Sequence, residues 1–409
     1  MSQQQVEVRI TVGDGQERIA GTLYFNGPSS TFRYTSEYVN APDSFDLAPT
    51  LPRSLSPFVF DGLGPFSDSA PDRWGRKLLE RNLKRRNLPE SEYLLGVNDV
   101  TRQGVVRFFT DGTALAGDEG VPALTDLAEL LNTADAVEER REIDDTALRR
   151  LYRATGSLGG ARPKASVFDR NALWLAKFPK PNGDDWDVIG WEAVTLELAA
   201  QAEIDVPEHR VIKIKDVDGR QRSVLLTKRF DRGEGGSAEI LRRIPYISAM
   251  TALDAKDGDG GDWLDLVEFA RGCGINVHEL WRRAMFGAAI GNLDDHLRNH
   301  GFLRSVKGWE LSPAFDLNPE PYQNAEDDRH QLALFGDGHV DVAALMDSES
   351  LELFDVAEAD ADDYLKTLQS VVKQAAPRAR LRQIDSRSVA VMESRFGRTL
   401  DELERLWKR

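Results

Sequence analysis

The stretch that most constrains this chain is 292–318. It reads Asn292-Leu-Asp-Asp-His-Leu-Arg-Asn299 and, beyond a short strand-like segment, Glu310-Leu-Ser-Pro-Ala-Phe-Asp316-Leu-Asn318. Asp294 and Asn299 stand in the order Asp-x-x-x-x-Asn, with Asp316 following. Phosphoryl transfer of the protein-kinase type uses such an order. One Asp orients the attacking hydroxyl and accepts its proton, an Asn holds Mg²⁺, and a later Asp bridges Mg²⁺ to the β- and γ-phosphates. Asp and Asn also favour turns and caps for local reasons, so the spacing gains meaning only if nucleotide machinery lies upstream. In the Asp294-Asp295 pair, only Asp294 leaves four residues before Asn299.

The bulk numbers bound the alternatives. At 409 residues, two or three domains are expected. A hydrophobic content of 41% and a charged content of 29% describe a soluble globular protein. The first residues lack the pattern of a signal peptide, and no apolar run approaches the ~20 residues that cross a bilayer. The one cysteine, Cys273, rules out an internal disulfide framework and fits a reducing cytoplasm; with only 6 His, a zinc site is poorly supported. The net charge of −16 disfavours nucleic acid as a direct substrate unless a local patch reverses the field. Residues 72–87 are such a patch. They read as an amphipathic helix with Trp74, Leu78, Leu79 and Leu83 inward and its cations on a solvated face.

Taken in order, 5–12 and 19–25 look like strands around the turn Gly13-Asp14-Gly15-Gln16, and Phe58 to Asp72 reads as a loop capped by Asp72. A short strand at 104–109 closes a compact N-terminal module of about 110 residues. A Gly-, Asp- and Ala-rich linker at 111–122 leads to helices over 124–140 and 144–155. Strands at 165–168 and 173–178 follow the turn Gly156-Ser157-Leu-Gly159-Gly160-Ala-Arg-Pro-Lys164. A glycine-rich turn beside a strand lets backbone N–H groups approach phosphate oxygens, and Lys177 on the next strand is placed to pair with them. Within the helix 190–202, Glu192 either caps the N-terminus or fixes the Lys177 ammonium. After strands 209–215 and 222–229, Lys228 to Phe230 is a candidate hinge where adenine meets backbone. Helices are expected over 244–253, 262–272, 276–291, 341–346 and 358–375, and in pieces over 385–407. Residues 256–262 faintly resemble a calcium loop but read better as a helix cap. The acidic run 347–363 reads as a solvated face.

Taken together, Ser157-Leu-Gly-Gly-Ala-Arg-Pro-Lys164, Leu175-Ala-Lys-Phe-Pro179, Leu226-Thr-Lys-Arg-Phe-Asp-Arg232, Asn292–Asn299 and Leu311-Ser-Pro-Ala-Phe-Asp316 resemble the HipA family of bacterial serine/threonine kinase toxins. The resemblance implies an α+β, two-lobed, protein-kinase-like fold with an additional N-terminal β-rich subdomain and a mostly helical C-terminal lobe. The expected domains are 1–112, 123–230 and 231–409. It implies ATP and Mg²⁺ as cofactors. Lys177 would hold the phosphates, Asp294 would be the catalytic aspartate, and Asn299 and Asp316 would be the metal ligands. Gly156, Ser157, Gly159, Gly160, Glu192, Lys228 and Phe230 would complete the nucleotide site. Ser157 matches the family's autophosphorylation site, where a dianion would oppose closure of the loop over ATP phosphates. Further implications are a HipB-like helix-turn-helix antitoxin and operator DNA reached mainly through it. Protein substrates, an aminoacyl-tRNA synthetase among the known kinds, are implied too, with a role in persistence. The location implied is the cytoplasm, at the nucleoid when bound to antitoxin, with no membrane partner. Lys228 departs from the Glu usual at the hinge, which bears on nucleotide selectivity. Two other readings stay open, a small-molecule kinase of the same fold and a catalytically silent co-repressor.

Overall fold

The computed structural model describes residues 4–12, 16–117, 120–235 and 241–408. The turn expected around Gly13–Gly15 lies outside them. The chain divides into two compact units. One is Met1–Pro181 with Ile212–Asp254 and Leu303–Val306; the other is Asn182–Val211 with Ala255–Phe302 and Lys307–Arg409.

The first unit begins with six strands: β1 (Gln4–Val12), β2 (Gln16–Asn26), β3 (Ser29–Tyr34), β4 (Phe58–Asp61), β5 (Val106–Thr110) and β6 (Thr113–Ala114). They form one sheet in the order β4-β3-β2-β1-β5-β6. Alternation makes β1 a half-buried strand: Val6, Val8 and Ile10 face a core that includes Phe32, Tyr34, Phe66 and Phe108. The expected loop at Phe58–Asp72 instead opens with β4, paired residue for residue with β3, and turns only at Gly62. Its Gly and Pro residues obscure a strand just four residues long.

A second sheet contains β7 (Lys164–Asp169), β8 (Ala172–Lys177), β9 (His209–Lys215) and β10 (Gln221–Lys228), in the order β7-β8-β10-β9. Helices Leu127–Glu138 and Asp145–Thr155 cover it. The basic helix, Arg73–Leu83, places Trp74 and Leu78 in that same core. Leu83 is not inward as expected. It is exposed, because the helix ends there as Lys84 enters the left-handed region at φ 54°. Four cations of this stretch are paired: Arg76 with Glu90, Lys77 with Glu138, Lys84 with Asp145 and Arg85 with Glu92. They form an ion-paired surface, in line with the solvated-face reading.

A buried charge cluster holds this unit together where β10 ends. The Asp231 carboxylate accepts from Arg229 at 2.7 and 2.9 Å, from Arg232 at 2.7 Å and from the backbone N–H of Gly104 at 2.8 Å. Arg229 also donates to the carbonyls of Thr101 and Arg102, and Arg232 to those of Val100, Arg102 and Gly104. Nearby, Asp99 accepts from Arg107 and Arg243. The positive excess is met by carbonyl oxygens of the 97–104 segment, as a buried cation requires.

The second unit is mainly helical, with Val188–Gln201, Trp263–Gly272, His278–Ile290, Glu358–Val372, Ala375–Leu381 and Ser386–Leu406 as its longer helices. Ser386–Leu406 is continuous rather than broken. The acidic run 347–363 keeps its carboxylates exposed while Leu351, Leu353, Phe354 and Val356 turn inward. Asp262 caps the helix at Trp263 by accepting from the Leu264 N–H. In the first unit, the helix expected over 244–253 is replaced by strand Tyr246–Ser248 and one turn, Ala249–Ala252. Pro245 and the β-branched Ile247 favour extended backbone there.

Asp231→Asn leaves two buried guanidinium groups without their counter-charge and is expected to cost about 3–5 kcal/mol. The measurement is a urea midpoint that falls with an unchanged slope. Burial alone would raise the Asp231 pKa, but Arg229 and Arg232 outweigh it and hold the carboxyl well below the usual carboxylate range. Its contribution is complete above the unfolded carboxylate pKa of about 4 and is lost as pH falls through the depressed folded value. The gap between wild type and variant should therefore stay constant from about pH 5 to 8 and narrow below about 4.

Candidate functional site

Helix His278–Ile290 delivers the chain into the Asp294 loop through Gly291, a left-handed cap at φ 66°. A Cβ at Gly291 would lie 2.2 Å from the Arg395 guanidinium, so only glycine fits. Arg395, itself buried, donates to the Glu320 carbonyl and to Asp328, which fixes the far side of the same loop cluster. Asn292 Oδ1 accepts from the Asn318 N–H at 3.0 Å, stitching the Asp294 loop to the Asp316 segment.

The adjacent carboxylates diverge. Asp295 is buried and lies 2.9 Å from His300 Nε2. Asp294 is exposed as a residue, with its carboxyl group partly withdrawn from water. That burial first, and then the Asp316 and Asp295 carboxylates, push its pKa upward, while His296 and Gln331 act in the opposite direction. Gln331 Nε2 donates to Asp294 Oδ1 at 2.5 Å, and the Gln331 N–H donates to the Leu293 carbonyl.

Asn299 is buried at the end of a single 3₁₀ turn, and its Nδ2 donates to the Asp294 carbonyl at 3.2 Å. This orients the amide oxygen away from that contact. Asp316 sits in the left-handed region at φ 60° and accepts from Asn318 Nδ2 at 2.9 Å. Asn318 Oδ1 is a buried oxygen without a hydrogen-bond partner. An orphaned oxygen beside a carboxylate and a side-chain amide suits a hard cation such as Mg²⁺. No group of three His, Cys, Asp or Glu with metal-ligand geometry occurs among the described residues. Any ion here would complete its shell with amide oxygens, water and phosphate, as Mg²⁺ commonly does.

The glycine-rich turn belongs to the first unit. Gly156 ends helix Asp145–Thr155 at φ 67°, and a Cβ there would lie 2.6 Å from the Thr101 carbonyl. Ser157 is buried, and its Oγ accepts from the Gln103 N–H at 2.8 Å. A Cβ at Gly159 would meet nothing within 4 Å, and Gly160 adopts φ 117°. Lys164 Nζ is buried between the Gly159 carbonyl and the Asp72 carboxylate. Lys177 is buried on β8 directly opposite Lys164 in the antiparallel register, so the two lysines share one face. Glu192 is buried in helix Val188–Gln201 of the second unit, whose N-cap is Asp187 rather than Glu192. Lys228 pairs with Glu234, and Phe230 packs its ring near Tyr246 at 6.0 Å.

Asp294, Asn299 and Asp316 thus lie together in one unit; the glycine-rich turn, Lys177, Lys228 and Phe230 lie in the other. Sequence reasoning missed Gln331, Asn318 and a role for Lys164. Asn318, two residues beyond Asp316, was within reach of a motif argument. Gln331 was not, because 37 residues separate it from Asp294.

A family model described as the HipA-like C-terminal domain matches residues 156–399, and one described as the HipA N-terminal domain matches 15–98. Y4dM of Sinorhizobium fredii, whose name carries the word kinase, is 29% identical over 168 residues. That match spans only 38% of this chain and 39% of the relative. A chain in the Shewanella oneidensis MR-1 toxin–antitoxin complex of HipA, HipB and operator DNA superposes with a TM-score of 0.69 at 15% identity. That superposition covers 98% of this chain and 97% of the other. The expected fold, β-rich toward the N-terminus and mainly helical toward the C-terminus, is the one found. Because the C-terminal family domain alone spans more than half of its length, the chain belongs to the HipA family.

Proposed function

We propose that this chain is an ATP- and Mg²⁺-dependent serine/threonine protein kinase, the toxin of a toxin–antitoxin pair, held in check by phosphorylation of Ser157. The observation that carries the reading is the Asp294 loop. It presents one open, oriented carboxylate while committing the adjacent one, Asp295, to His300, and it stitches Asn299 and the Asp316 segment to the same frame.

In this reading Asp294 Oδ2 accepts the proton of a protein hydroxyl as its oxygen attacks the γ-phosphorus of ATP and the bond to the departing ADP breaks, while Gln331 keeps the carboxylate in position. Its raised pKa makes it a better base than an ordinary surface aspartate. Lys177 pairs with the phosphates as a point charge, and the Lys228–Phe230 backbone meets the adenine. Mg²⁺ held by Asn299 and Asp316, with Asn318 beside them, would neutralise charge on the transferring phosphoryl group.

Ser157 is too buried to carry a dianion where it stands, so phosphorylation must break its bond to Gln103 and displace the turn. The solved relative assembled with HipB and operator DNA supports a helix-turn-helix antitoxin as partner. This chain's net charge is −16, and the basic-helix cations named above are committed to carboxylates. Phosphate contacts to an operator would therefore come mainly from the partner. A cytoplasmic location and a protein target such as an aminoacyl-tRNA synthetase complete the proposal.

Phosphosite mass spectrometry after incubation with Mg-ATP tests it, with Asp294→Asn and Asp316→Asn as controls. Phosphate on Ser157 in wild type and a loss of at least about 100-fold in both variants are expected. Wild-type transfer by either variant would sink the mechanism. Gln331→Glu places a second carboxylate against Asp294 and should lower kcat about 10-fold or more, with KM for ATP little changed.

A further inference from the structure

We propose that Lys164 is a positioning residue that aims the backbone of the glycine-rich turn at the nucleotide phosphates, and that Asp72 holds Lys164 in that role. The proposal rests on the nucleotide-site reading above and adds to it a second lysine with a different task from Lys177.

Lys164 is 2% exposed and Asp72 6%, and their charged atoms lie 3.0 Å apart across 92 residues of sequence. The Asp72 carboxylate is fixed from its other side too, where Oδ1 accepts from the Gly75 N–H and caps helix Arg73–Leu83. Lys164 spends its remaining contact on the Gly159 carbonyl. A trans peptide sets its C=O and the following N–H in opposite directions. Turning the Gly159 carbonyl inward to the ammonium therefore turns the Gly160 N–H outward. It also removes from the outer face a carbonyl oxygen that would repel phosphate. The backbone at Gly160, φ 117°, is open only to glycine, and the space beside Gly159 is clear to 4 Å. The outward side of this peptide can thus receive an anion, in the manner of other backbone anion sites.

The register adds a second argument. Lys164 and Lys177 are direct cross-strand partners, and two like charges so placed repel. Asp72 neutralises Lys164 from within the fold.

Calorimetric titration of the full chain with Mg-ATP and, separately, with adenosine tests this. Lys164→Met should weaken ATP binding at least tenfold and leave adenosine within twofold, because only the phosphate subsite is disturbed. Asp72→Asn, which still accepts from the Gly75 N–H and so keeps the helix cap, should weaken ATP in the same selective way by a smaller factor. ATP affinity within twofold of wild type in Lys164→Met would overturn the role of Lys164, as would equal losses for ATP and adenosine. Should Lys164→Met fail to fold, Asp72→Asn decides by the same criterion. Wild type that binds no ATP would instead overturn the nucleotide-site reading, and the inference with it.

Discussion

The Asp231 carboxylate, enclosed by Arg229, Arg232 and the Gly104 N–H, fixes far more than its own neighbourhood. Two buried guanidinium groups need oxygen ligands, and the 97–104 segment supplies them from its carbonyls. Once those carbonyls point inward, the position of Thr101 and Gln103 is set. Thr101 then forbids any side chain at 156, and Gln103 holds Ser157. The start of the glycine-rich turn is thus specified by a buried charge cluster. An unpaired buried charge is so costly that the cluster has one arrangement, and that singularity is passed along the backbone to the turn.

Much of the fold is legible in the sequence where periodicity is strong. Val6, Val8 and Ile10 announce β1, and the helix at Val188–Gln201 is read nearly to its ends. What escapes the reading is decided by partners distant in sequence. The β4 residues Phe58–Asp61 are a strand only because β3 lies beside them, and Leu83 stays in water because Lys84 turns left-handed one residue later. In the candidate site, spacing singles out Asp294, Asn299 and Asp316, because phosphoryl transfer demands those groups in that order. Gln331 and the Asp72–Lys164 pair are invisible to spacing, since their positions follow from loop closure across 37 and 92 residues.

Asp294 and Asp295 show how environment divides labour between identical side chains. Asp295 turns into the protein, where the His300 ring, itself set edge-on to Trp263 at 5.0 Å, offers a nitrogen at 2.9 Å. A buried carboxylate needs such a partner, and that commitment removes it from contact with an acceptor. Asp294, one residue on in the opposite direction, keeps a face toward water, and it is raised in pKa by partial burial and by the Asp316 carboxylate. Glu320 nearby is raised as well, by burial and then by Asp294. Negative charge is therefore concentrated around Asp294. A divalent cation would ease a cluster of this kind, and the orphaned Asn318 oxygen beside Asp316 is a donor that would suit it. The same electrostatics favour amide oxygens over further carboxylates beside Asp294. Each further carboxylate would push the Asp294 pKa higher, and a base raised too far would be protonated at the pH where it must act. Under the proposed mechanism, Asn299 and Asn318 would offer oxygen to a cation without raising the Asp294 pKa.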